Sequence, residues 1–128
     1  MIKFYAILIF LLLFTFPDAL AQLNTAQTKL DSLQQLLHQK SELDRHAFIY
    51  NRMSEVAYES GTLEVALQYA QKANAIAQKN EEVAELGLSY TLIANYYSAQ
   101  SNYQKASEYL ELSLEQYKKT DDLWRIAY

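Results

Sequence analysis

The sequence predicts an all-α fold in which antiparallel helix hairpins stack side by side. Three observations predict it. Gly and Pro are scarce, at two and one in 128 residues, and strand-rich folds consume those residues in their turns. Ala, Leu, Gln, Glu and Lys, which favour helix, are abundant. Apolar residues recur at three- and four-residue steps, and no segment alternates at period two for long enough to suggest a strand.

The same composition excludes several function classes. The net charge is −4, with both signs spread along the chain. A nucleic-acid surface needs clustered Lys and Arg, and docking on an anionic membrane needs a basic patch. The chain has no cysteine, which removes disulfides, thiolate metal sites and cysteine nucleophiles. Tyrosine is unusually frequent at eleven copies, whereas Phe48 is the one phenylalanine after Phe16.

Met1–Lys3 carries one positive charge, Phe4–Phe16 is a run with only Thr15 polar, and Pro17-Asp18 precedes Ala19-Leu20-Ala21. A basic start, an apolar stretch and a small-x-small site mark residues 1–21 as a secretory signal peptide. The alternative is an uncleaved anchor, but the run falls short of the roughly 20 residues of a membrane span. Cleavage leaves Gln22 at the N-terminus, where a lipidated protein would carry Cys. The remaining chain has no second apolar stretch, so no membrane span is expected after cleavage. The expected compartment is outside the cytoplasm, the periplasm in particular.

Beyond the leader, Leu30, Leu33, Leu36 and Leu37 predict an amphipathic helix over residues 25–39. Ser41 with Asp44 reads as a short variant of the capping box. Leu43, Ala47, Tyr50, Met53, Ser54 and Ala57 continue a helix to the break at Gly61. A helix from Leu63 runs through Ala66, Ala70, Ala73 and Ala77 to Asn80. Val83, Leu86, Gly87, Tyr90, Ile93, Ala94 and Tyr97 form the next, ended by Ser101-Asn102. Tyr103, Ala106, Tyr109, Leu110, Ser113 and Leu114 form another, and Thr120-Asp121-Asp122 marks a new start.

A shift of 40 residues lays the chain on itself. Glu42 falls on Glu82, Tyr50 on Tyr90, Ala66 on Ala106, Tyr69 on Tyr109 and Lys79 on Lys119. Size classes follow, with Met53 on Ile93, Ser54 on Ala94 and Ala73 on Ser113. Small residues recur where two helices approach and large ones where they fill the groove beside them. The organisation is therefore an N-terminal helix in 22–40, one hairpin unit in 41–80, a second in 81–120 and the opening of a third in 121–128.

Both units resemble the tetratricopeptide repeat. Its first helix has a large residue, a Leu-Gly-like pair and a Tyr. A Gly or Asn turn, an aromatic residue and an Ala opening the second helix follow. The second unit offers Tyr90, Ile93-Ala94, Tyr97, Ser101-Asn102-Tyr103 and Ala106, and the first offers Tyr50, Met53-Ser54, Gly61, Leu63 and Ala66. Ser54 and Ala94 stand where the family has Gly, Ala57 where it has Tyr, and the helix-ending Pro is absent. The usual period is about 34 residues, so these units are longer. The long form resembles arrays of exported proteins of Bacteroidetes-type bacteria. The resemblance implies a right-handed solenoid and a scaffold that holds a protein or peptide in its concave face. At family positions that face comprises Phe48, Asn51, Glu55, Tyr58 and Glu59 in the first unit, and Leu88, Thr91, Asn95 and Ser98 in the second. Asn51 and Asn95 are expected to hydrogen-bond a peptide backbone.

No enzyme signature is legible. His38 and His46 are too far apart for a helical metal pair. Glu81-Glu82 and Asp121-Asp122 stand at helix starts, where negative charge suits the macrodipole. Two glycines cannot make a phosphate-cradling loop. No catalytic residue, cofactor or metal is expected. Tyr96 is the tyrosine most expected to be exposed. Leu123, Trp124, Ile126, Ala127 and Tyr128 make an apolar terminus, so the chain reads as an N-terminal fragment able to self-associate through that end. A second reading makes it the sensory region of a truncated signal-transduction protein, a histidine kinase or a transcriptional regulator.

Overall fold

A computed structural model describes residues 2–39 and 45–120, with side chains from Asp18 onward. Among these described residues five helices follow one another: α1 (Ile2–Leu37), α2 (His46–Glu59), α3 (Leu63–Lys79), α4 (Val83–Ala99) and α5 (Tyr103–Lys119). No strand occurs among the described residues. The expected cap at Ser41 and Asp44, and the apolar terminus at residues 121–128, lie outside them.

Three turns of one geometry join α2 to α5. Each contains a residue at positive φ: Gly61 at 79°, Glu81 at 59° and Ser101 at 58°. The amide after it reaches back across the turn, from Thr62 to the Ala57 carbonyl, Glu82 to Ala77 and Asn102 to Tyr97, each at 2.9 Å. This Schellman closure satisfies carbonyls that a helix end would otherwise leave open. Only Gly61 adopts the left-handed conformation freely, and the same conformation costs Glu81 and Ser101 about 1 kcal/mol each. With α3, α4 and α5 each 17 residues long and the turns evenly spaced, the hairpin repeats at the 40 residues read from sequence.

Alanine lets the helices approach closely. Ala47, Ala57, Ala70, Ala73 and Ala77 are fully buried, with Ala66, Ala94 and Ala106 nearly so. Within the first hairpin, the Ser54 hydroxyl donates to the Ala66 carbonyl at 2.8 Å, and Tyr50 stacks on Tyr69 with ring centroids 6.2 Å apart. Between the hairpins, Ala70 of α3 packs on Leu92 and Ile93 of α4, and Leu86 of α4 joins a cluster with Ala47 and Ala77 of the first hairpin. Within the second hairpin, the Ser113 hydroxyl donates to the Gly87 carbonyl at 2.8 Å. Glycine is needed at position 87 because a Cβ there would lie 2.8 Å from the Tyr117 ring. Each helix touches its neighbour in sequence, and α2 also touches α4. That is the pattern of hairpins stacked in one direction.

One element departs from the sequence reading. The N-terminal helix does not begin near Thr25; α1 is continuous from Ile2 through Pro17 to Leu37. Leu20, Ala21, Gln22 and Leu23 are helix formers with no stop among them. Thr25 does not cap, because its hydroxyl donates to the Ala21 carbonyl inside the helix at 2.8 Å. Among the described helices this one packs on α2 alone.

Candidate functional site

The first helices of the two units, α2 and α4, turn one stripe of side chains away from their second helices. In α2 the stripe holds Phe48, Arg52, Glu55 and Glu59. Phe48 is half-buried, with the Arg45 and Arg52 guanidinium carbons 4.9 and 5.2 Å from its ring centre. Arg52 donates to Glu55 at 2.6 Å. Glu59 and Tyr58 are exposed. In α4, Leu88 is half-buried against the core that Ala70, Leu92 and Ile93 form. Asn95 is half-buried and Ser98 exposed.

Two residues expected on this face are committed elsewhere. Asn51 is fully buried. Its amide donates to the Glu85 carbonyl at 3.0 Å and to the Glu85 carboxylate at 2.9 Å. Its Oδ1 is buried without a partner. Glu85 belongs to the first turn of α4, and that turn covers Asn51. Asn51 is therefore a clamp between the units and not a backbone acceptor for a peptide. Thr91 turns towards α5, where its hydroxyl meets that of Ser113 at 2.8 Å. The tyrosine reading is also corrected. Tyr96 is half-buried, edge-on to Tyr97 at 5.3 Å, while Tyr103, opening α5, is 69% exposed.

A cleft that the sequence did not announce adjoins the stripe. Between α1 and α2 lies a space of about 750 Å³, walled by Thr25, Thr28, Lys29, Ser32 and Leu33 on one side and Phe48, Arg52, Glu55, Val56 and Glu59 on the other. It continues past Lys29 and Glu59 into a hollow of about 380 Å³ beside Ala21 and Ser60. The signal for it is Arg52, which the 40-residue shift lays on the buried Leu92. An arginine cannot replace a core leucine without losing hydration. It stays at the edge, paired with Glu55, and the two helices stand apart.

Among the described residues no group of three His, Cys, Asp or Glu is placed to hold a metal ion. His46 is half-buried on α2.

The hairpins, their alanine contacts and their repeated turns agree with the sequence comparison that decides the family. The model described as Tetratricopeptide repeat matches residues 45–119, more than half of the chain. The chain belongs to the tetratricopeptide repeat family. Comparison with curated proteins and with solved structures returns no match. Tetratricopeptide repeats generally mediate protein–protein interaction and are generally non-enzymatic scaffolds. Among the described residues, no helix is long and apolar enough to cross a membrane.

Proposed function

We propose that this tetratricopeptide repeat protein is an exported scaffold, working in the periplasm, that holds a protein or peptide against the face formed by α2 and α4. The observation that carries the reading is that, on α2 and α4, Tyr58, Glu59 and Ser98 are exposed and Phe48, Glu55, Leu88 and Asn95 only half-buried. This face combines apolar anchors, Phe48 and Leu88, with an amide and two carboxylates able to orient a partner. Asn95 has no hydrogen-bond partner among the described residues, so both ends of its amide can serve a ligand. Export rests on the leader pattern of residues 1–21.

A photo-crosslinking residue placed at Asn95 in cells tests the binding reading. Adducts with a discrete partner are expected there and not at exposed Glu111 of α5. Equal labelling at both positions, or none, would remove the reading. The N-terminal sequence of the recovered protein tests export separately, with Gln22 as the expected first residue.

Leu110 of α5 is 47% exposed, while Ala70, its equivalent in α3, is covered by α4. That difference supports a further helix packing there, from following residues or from a second copy of the chain. It is also the observation that favours the second reading, a sensory array belonging to a longer signal-transduction protein.

A further inference from the structure

We propose that the cleft between α1 and α2 is the seat of an α-helix supplied by a partner protein, lying antiparallel to α1 and parallel to α2. The proposal rests on the reading above and narrows it, because Phe48, Glu55 and Glu59 belong to both.

The repeat itself identifies the seat. The second half of α1 is in register with the second helices of both units: a shift of 40 lays Ala26 on Ala66 and Ala106, Leu23 on Leu63 and Tyr103, and Gln39 on Lys79 and Lys119. It runs along α2 as α3 runs along α4, with Ala21 near Ser60 at one end and Leu33 near Phe48 at the other. It is thus a second helix without its first. One step along the array the corresponding seat is filled by α2. The Ala66 carbonyl accepts from Ser54, Tyr69 stacks on Tyr50, Lys72 lies over both rings, and Ala73 is fully buried. Forty residues earlier stand Ala26, Lys29, Ser32 and Leu33; the last three line the cleft and Ala26 the hollow that continues it.

The occupant comes from outside this stretch of chain. The in-register segment would be residues 3–19, but it continues α1 as one helix and, as part of the leader, is removed on export. A helix fits better than an extended peptide. Thr25, Thr28 and Ser32 donate their hydroxyls to carbonyls of their own helix, so they offer no donor to an extended backbone. A helix satisfies its backbone internally. The walls specify its side chains: an apolar stripe against Leu33, Phe48 and Val56, an acidic residue towards Lys29 and a basic one towards Glu59. Neither Lys29 nor Glu59 has a partner among the described residues.

The test uses the exported chain from Gln22 onward and a synthetic peptide copying residues 45–61, the helix that fills the equivalent seat, with a photo-reactive group in place of its tyrosine at position 50. The expected result is one peptide bound per chain, a gain in helicity by circular dichroism, and adducts on Thr25–Leu33 of α1. Thr28→Trp, which fills the cleft from an exposed position, should weaken binding about tenfold. Absence of binding, or adducts on α3 and α4 from a peptide displacing α2, would overturn the seat. Adducts confined to Leu88–Ser98 would overturn it too, while leaving the wider reading of the α2–α4 face standing.

Discussion

The two places where a second helix meets the next first helix are built from equivalent positions and end up different. Between α3 and α4, Ala70, Leu92 and Ile93 close into a core, with Leu67, Leu88, Tyr97 and Tyr109 packed around it. Between α1 and α2 the position of Leu92 is held by Arg52, whose side chain is 50% exposed, and a cleft remains. Met53, the equivalent of Ile93, is still buried. The exchange of Leu92 for Arg52 at one register position thus accompanies the difference between a core junction and an open one on the same backbone plan.

The most severe way to break the comparison is Leu92→Ala. In the closed junction it should cost about 2–4 kcal/mol, whereas Arg52→Ala in the open one should cost well under about 1 kcal/mol, the scale of an exposed ion pair. Urea midpoints of the two variants measure this directly, and equal losses would mean the junctions are alike. Gly87→Ala comes next. The new methyl meets the Tyr117 ring, so a loss of about 1–2 kcal/mol is expected despite the better helix propensity of alanine. Arg52→Leu sharpens the contrast from the other side: it should stabilise by about 1 kcal/mol by packing an apolar side chain against α1. The smallest effect belongs to the turns, where Glu81→Gly and Ser101→Gly should each raise stability by about 0.5–1 kcal/mol by removing left-handed strain. A loss at either position would show that the side chain makes a contact worth more than the strain.

The parts that were legible in the sequence are those set by local pattern. Gly61, Asn80 and Ser101-Asn102 mark the turns, and Ala66, Ala73 and Ala106 mark the close approaches, because small residues there have no other use. What was not legible depends on where a distant element lands. Asn51 reads as a polar surface residue until the first turn of α4 covers it. Thr91 reads the same way until Ser113 offers it a hydroxyl. The leucine periodicity opens the N-terminal helix near residue 25 because it follows the packed face, whereas Leu20 and Leu23, helical but more than half exposed, lie off it. The cleft was hidden for a different reason: it needs the N-terminal helix to count as half of a unit, and the register of Ala26 with Ala66 says so only once α1 is seen against α2.

The even placement of Gly61, Glu81 and Ser101 has a genetic consequence. The three boundaries from α2 to α5 fall at the same phase, so a duplication or loss of one 40-residue block joins a helix end to the same turn it had before. The gene can grow or shrink in whole blocks with each junction already compatible. A change of half a block would exchange inner for outer helices and bring Lys and Glu side chains where alanines must meet. Selection on such a protein is free to vary its length in large steps while being strict about small ones.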